Sequence, residues 1–240
     1  MNEKSPAFRD VDESARQLAH KLIRESRAAS LAVIDAATGY PSASRCLLGT
    51  DLDGTPIILI SSLASHTQSL QHDPRCSVLA GNVGKGDPLA HPRITVLAEA
   101  SSLDRDGPDY ARIRSRFLAR HPKAALYADF ADFRFLRLTP VSASLNGGFG
   151  KAYVLTREDL TIAVEEPAAW LSLFEELSSV ADLPAQLAEL AGATVKSGWR
   201  IVGIDPAGVD ISSTDVTLRY SISGLMGSPA AMKAALTAAC

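Results

Sequence analysis

Apolar residues first recur at helical spacing. Ala15, Leu18, Ala19, Leu22 and Ile23 line one face of a segment that Asp12 can cap, and the pattern predicts a helix running to about Arg27. Short apolar runs follow at 30–34, 42–48 and 57–60. The turn residues Thr38-Gly39-Tyr40-Pro41 and Asp51-Leu52-Asp53-Gly54 separate them, which predicts three strands of an antiparallel meander. Residues 66–72 fit a short helix stopped by Asp73-Pro74. Strands are expected at 76–80 and 93–100, joined through Gly84-Lys85-Gly86-Asp87-Pro88. A charged helix over 108–120 carries Ile113 and Phe117 on one face, and residues 133–138 alternate as a sixth strand. Asn146-Gly147-Gly148-Phe149-Gly150 breaks the chain before a strand-like run at 151–155. Six or more short strands with two inserted helices point to a closed or split barrel.

The pattern changes after about Thr156. Residues 167–192 are rich in alanine and leucine and read as helical. Strands are expected at 199–204 and 217–222, with Asp205-Pro206-Ala207-Gly208 as a turn between them. Ser228-Pro229 opens a terminal helix as cap and first residue. The expected domains are a barrel over residues 1–155 and a small C-terminal unit of helices and strands over residues 156–240.

Composition narrows the function classes. The 240 residues are 46% hydrophobic and 21% charged, enough for a packed core. A net charge of −3 gives no general attraction for nucleic acid or an anionic membrane, so neither is an expected partner. The polar start MNEKSPAFRD lacks the apolar core of a secretory signal, and no run is long enough to span a bilayer, so the cytoplasm is the expected location. Cys46, Cys76 and Cys240 lack CxxC spacing, which argues against a disulfide framework and against a metal site. Cys46 and Cys76 sit in strand-like runs and read as small buried hydrophobes.

Several segments, taken in order, carry a family resemblance. They are Ser44-Arg45-Cys46-Leu47-Leu48, then Ser61-Ser62-Leu63-Ala64-Ser65-His66-Thr67 with Leu70 and Asp73-Pro74-Arg75. His91-Pro92-Arg93-Ile94-Thr95-Val96 and Arg116-Phe117-Leu118-Ala119-Arg120-His121-Pro122 follow. Asp132-Phe133-Arg134 and Gly147-Gly148-Phe149-Gly150-Lys151-Ala152 complete the set. In order and spacing the chain resembles the pyridoxamine 5'-phosphate oxidase-like family, in its haem-utilisation branch, over about residues 12–155. The tail resembles the small domain often appended to that branch. The resemblance implies an α+β fold: a six-stranded antiparallel split β-barrel with flanking helices, then a small C-terminal α/β domain. It also implies a homodimer with cofactor sites in grooves between subunits. In flavin-binding members a strand arginine and a strand-to-helix turn hold the FMN phosphate, roles that map here onto Arg45 and onto Ser61, Ser62, His66 and Thr67.

The chemistry of those residues suits the role. Arg45 offers a planar fork of donors that stays charged. Ser61 and Ser62 end a strand, and His66 and Thr67 open a helix where free amides and the dipole favour an anion. A surface arginine beside an ordinary helix cap is the structural alternative. Many true pyridoxamine phosphate oxidases have a lysine near His66; a histidine there carries only partial charge at neutral pH. The glycine run at 147–150 fits either close approach to a planar cofactor, with Phe149 beside it, or a glycine bulge. His121, Asp129 and Asp132 fit either a haem pocket or proton relay, or a helix end followed by solvated acids.

Three functions follow. The first is an FMN-dependent flavoprotein, an oxidoreductase acting on a small substrate. The second is haem binding, storage or degradation. Haem degraders of the family carry an axial histidine C-terminal to the barrel, and here no histidine follows His121. The third is a non-catalytic barrel dimer that carries a cofactor. No catalytic residue is identifiable by type and spacing.

Overall fold

The computed structural model describes residues 8–148, 151–194, 197–214, 216–222 and 224–239. The first helix, α1, spans Glu13–Glu25, and Asp12 caps it by accepting the Ala15 amide at 2.8 Å. Its buried stripe, Ala15, Ala19 and Ile23, packs onto the barrel core.

The barrel strands are β1 (Ala28–Ile34), β2 (Pro41–Thr50), β3 (Pro56–Ser61), β4 (Arg75–Ala80), β5 (Arg93–Ser102) and β6 (Phe133–Asn146). Their order is β3-β2-β1-β4-β5-β6, and a β3–β6 pairing closes the ring. All pairs are antiparallel, as expected. A further strand, β7 (Ala152–Thr156), adds to the far half of β6. Alternate residues point inward and fill the barrel: Leu31 and Val33, Cys46 and Leu48, Ile58 and Ile60, Val78, Val96, Leu138. Cys46 and Cys76 are buried free thiols, as their strand setting predicts, and Cys240 lies outside the described residues.

Strand six is far longer than the 133–138 alternation suggests. Leu97 pairs with Ser142 and Ala98 with Pro140, so Val141 is an extra residue on β6. Before this bulge the inward residues are Leu136 and Leu138; after it they are Ala143 and Leu145. Pro140 has no amide to donate and is tolerated at the bulge.

Helix α2 spans Ser65–His72 and α3 spans Tyr110–Arg120. On α3, Ile113 and Phe117 cover the outer side of Ile57, Leu59 and Phe135. This second layer buries β3 on both faces, which explains its unbroken apolar run. A Cβ at Gly49 would sit 2.7 Å from the Phe117 ring, so that position needs glycine.

The C-terminal unit begins after a short helix, α4 (Arg157–Leu160). The helical stretch expected at 167–192 is two helices, α5 (Pro167–Ser178) and α6 (Leu183–Leu190). The sheet has three strands: β8 (Arg200–Asp205), β9 (Gly208–Ser213) and β10 (Val216–Ser221). The expected turn at 205–208 joins β8 to β9, a strand the sequence reading omitted. Helix α7 spans Pro229–Ala239. Trp170, Leu173, Ile204, Ile211 and Met232 form this core, and Leu52 enters it from the β2–β3 turn.

Charged groups weld the two units. Asp205 is 0% exposed, and accepts from Arg24 Nε at 2.9 Å and Arg219 Nη2 at 2.5 Å. Arg219 Nη1 also donates to Asp210 at 2.8 Å, and Arg116 Nη1 donates to the Ile204 carbonyl at 2.6 Å. Burial opposes the Asp205 charge, but Arg219 and Arg24 outweigh it and hold the carboxyl below its ordinary range. Among the described residues no helix is long and apolar enough to cross a membrane.

Two predictions follow from this packing. Asp205→Ala strands buried guanidinium groups and should cost about 3–5 kcal/mol of stability in urea denaturation of the full chain. His121 is buried and His20 half-buried, and desolvation lowers both imidazoles to about 4. Unfolded, they titrate near ~6.5, so the unfolded chain binds more protons as pH falls from there. Stability should therefore be intact above about pH 6.5 and decline towards pH 4. His121→Gln should flatten that decline in denaturation curves taken across the range.

Candidate functional site

The β2–β3 ladder ends at Leu48↔Ile58. Continuing its register would set Arg45 opposite Ser61, both on the outer face of the barrel. The β2–β3 pairing does not extend beyond that pair, and after Ser61 the chain turns into α2. Arg45 is exposed and has no hydrogen bond or ion pair among the described residues.

The Ser61 and Thr67 hydroxyls are already committed. Ser61 Oγ donates to Asp132 Oδ2 at 2.7 Å and accepts the Leu63 amide at 3.2 Å. Thr67 is buried, and its Oγ1 donates to the Ser61 carbonyl at 2.6 Å. The Ser62 amide donates to the Asp132 carbonyl at 2.7 Å. Ser61, Ser62 and Thr67 thus meet in one network, centred on an aspartate from just before β6. Asp132 is therefore not the solvated acid that its sequence setting suggests. No sequence signal joins it to Ser61, because 71 residues separate them.

His66 faces elsewhere. Its Nδ1 meets Ser44 Oγ at 3.2 Å. Ser44 and Arg45 are neighbours on one strand, so their side chains leave opposite faces. Ser44 shares the inward side with Cys46 and Leu48, and His66 lies with it. Burial lowers the His66 pKa, so it is neutral at physiological pH. Its Nε2 is buried without a partner among the described residues. Strand alternation around Arg45 was the signal that would have singled out Ser44.

Other sequence candidates are structural. His121 is buried, with Nε2 against the Leu48 carbonyl at 2.8 Å and its ring 4.7 Å from Phe117. Asp129 pairs with Arg114 at the surface. Gly147 and Gly148 form the β6–β7 turn, with the Gly147 amide donating to the Lys151 carbonyl at 2.7 Å and Gly148 at φ 106. Phe149 and Gly150 lie outside the described residues. Among the described residues no group of three or more His, Cys, Asp or Glu side chains is placed to hold a metal ion.

Residues 16–146, more than half the chain, match the family model described as pyridoxamine 5'-phosphate oxidase. The chain belongs to the pyridoxamine 5'-phosphate oxidase family. Within that family, a chloroplastic heme oxygenase, HOZ, from Arabidopsis thaliana is 34% identical over 135 residues, 55% of this chain. The chain matches only 40% of that relative's length. Heme oxygenase HutZ from Vibrio cholerae is 27% identical over 140 residues, covering 57% of this chain and 78% of that protein. Among solved structures, a protein of unknown function from Agrobacterium tumefaciens is 31% identical, with a TM-score of 0.83, covering 98% of this chain and 99% of its own. A heme binding protein from Mycobacterium smegmatis is 25% identical, with a TM-score of 0.58 over 95% of this chain and 97% of that one. These relatives support the haem-utilisation branch, and the Agrobacterium protein shares both units of the fold.

Proposed function

We propose that the chain binds haem in a groove on the outer face of its barrel, as a homodimer. The relationship to two heme oxygenases across the barrel carries this reading. The local chemistry favours it over FMN. A phosphate monoester carries close to two negative charges and needs several strong donors. Here Arg45 faces the predicted seat without a hydrogen bond or ion pair among the described residues, while Asp132 brings a carboxylate to it and occupies Ser61. The Thr67 hydroxyl is also spent. What remains is Arg45, the Ser62 hydroxyl and the Ser65 and His66 amides at the start of α2, since the Thr67 amide donates to the Ala64 carbonyl. A haem propionate is a single carboxylate, which one guanidinium suits.

The surroundings also suit a large apolar ligand. Leu63 is 81% exposed and Phe130 58% exposed, and the Ser62–Asp132 hydrogen bond holds their segments together. On the outer face, Ile34, Leu79, Leu97 and Val154 are exposed on β1, β4, β5 and β7. A shallow groove of about 330 Å³ runs there past Ala32, Pro41, Arg75 and Leu97. Exposed apolar side chains on neighbouring strands suit a second copy of the chain, and a cofactor at its margin. When bound, haem supplies iron-centred chemistry; the chain's part is to bind and orient it.

FMN remains the second reading, supported by the family match and by Arg45. Titrating the purified chain with ferric haem and, separately, with FMN separates the two. Haem should give a saturable Soret shift, and FMN little quenching. Arg45→Ala should weaken haem binding by roughly tenfold or more, the worth of one charged hydrogen bond. Tight FMN binding with no Soret shift would overturn the haem reading. Leu97→Asp should convert a dimer to monomer in light scattering, and a wild-type monomer at micromolar concentration would refute the dimer.

A further inference from the structure

We propose that the cleft where α1 and α4 meet the C-terminal unit is a binding site for a small neutral molecule with an apolar body and one hydrogen-bond donor. The cleft holds a cavity of about 100 Å³. Both units build it. Arg16 and His20 on α1, Asp159 on α4 and Ile162 just beyond α4 line it together with Ile222 and Leu225, which follow β10. None of Arg45, Ser61, Ser62, His66 and Thr67 lines it, so the site is separate from the proposed haem seat and independent of the haem reading.

His20 supplies the polar contact. It lines the cleft and is only half-buried, so its ring keeps access to it. Its Nε2 lies 2.9 Å from the Asp159 carbonyl. A carbonyl oxygen only accepts, so Nε2 carries the proton and donates. Nδ1 is then the lone-pair nitrogen of a neutral imidazole. It makes no hydrogen bond among the described residues. The fold thus sets the tautomer and leaves an acceptor without a donor, beside the apolar side chains of Ile162, Ile222 and Leu225.

The surrounding charges decide which donor fits. Arg16 Nε donates to Asp159 Oδ1 at 2.8 Å and its Nη1 pairs with Glu13 at 3.7 Å, while Lys21 pairs with Glu25 at 3.7 Å. These ions are engaged with one another, and Glu158 at the rim is exposed to solvent. At the His20 ring, desolvation and then the Arg24 charge hold the imidazole neutral, its pKa lowered to about 4; Arg219 acts in the same sense and Asp205 against it. A field that resists a second proton on the imidazole also resists a cation set against it. An ammonium donor is therefore disfavoured, and a hydroxyl or an amide N–H fits. An apolar cavity of about 150 Å³ takes benzene. A somewhat smaller cavity with an open mouth suits one small ring or a short chain, and not a porphyrin. Because both units line the cleft, a bound molecule ties them together and stabilises the folded chain by mass action.

The test is phenol added to the full chain, followed by nitrogen NMR of the histidine rings and by thermal unfolding. Phenol should shift the unprotonated His20 nitrogen saturably and raise the unfolding midpoint. Toluene, the same size of ring without a donor, should bind roughly two- to tenfold more weakly, the worth of one neutral hydrogen bond. Benzylamine, an ammonium at neutral pH, should leave His20 unmoved. Leu225→Trp narrows the mouth from an exposed position and should abolish the phenol shift, while its unfolding midpoint without phenol stays that of wild type. The proposal fails if phenol leaves the His20 nitrogen unmoved or never saturates, which is the result for a cleft that holds only water. It fails equally if toluene or benzylamine matches phenol, or if Leu225→Trp binds phenol as wild type does.

Discussion

The barrel closes because one strand changes phase along its length. Val141 is the extra residue that lets β6 pair with β3 over its first half and with β7 over its second, while β5 runs beside both. Strand side chains have a period of two, so a single inserted residue turns every later side chain to the other face. Inward positions pass from Leu136 and Leu138 to Ala143 and Leu145, and the core stays continuous across the bend. Closure then decides the chemistry of the site. Drawing β6 onto β3 brings Asp132 to Ser61, and the β2–β3 pairing stops at Leu48.

The second unit is joined by charge as well as by apolar packing. Arg24, Arg116, Arg120 and Arg219 are buried beside Asp205 and Asp210. Cations outnumber carboxylates in this seam, and Arg24 leaves both Nη atoms without hydrogen-bond partners among the described residues. Its guanidinium instead lies flat on Gly54, where a Cβ would come within 2.6 Å of Nη2. Removing one partner from such a cluster costs far more than the pair itself contributes, because the group left behind stays desolvated. Any docking of the two units that parted these pairs would strand desolvated charge.

The site follows a similar economy. Asp132 spends the Ser61 hydroxyl internally, and Thr67 spends its own on the backbone. Those bonds stabilise the β3–α2 turn and withdraw donors from any bound anion. Arg45, on the outer face, has no hydrogen bond or ion pair among the described residues, whereas His66, on the inner side, is held by Ser44. A phosphate cradle needs converging donors, and the internal bonds of Ser61 and Thr67 leave fewer of them beside Arg45.

Much of this fold was legible in sequence because local periodicity reports which face is buried. The Asp12 cap, the β1–β3 meander, the short α2 and the Phe117 face of α3 all follow from spacing and turn chemistry. Arg45 on a strand and Ser61 at a strand end were equally readable. The extent of β6 was not, because the Val141 bulge breaks the alternation that marks a strand. Strand β9 was missed although Val209 and Ile211 alternate with Asp210 and Ser212, because the alternation is short and follows directly on the 205–208 turn. Side-chain commitments were beyond reach altogether. Ser61 with Asp132, Arg24 with Asp205 and Ser44 with His66 are joined across 71, 181 and 22 residues. The sequence determined which groups exist and which face of its own element each one occupies, since both follow from neighbouring residues. Tertiary structure decided which groups are already spent and which remain free, since that depends on partners that only chain closure brings within hydrogen-bonding distance.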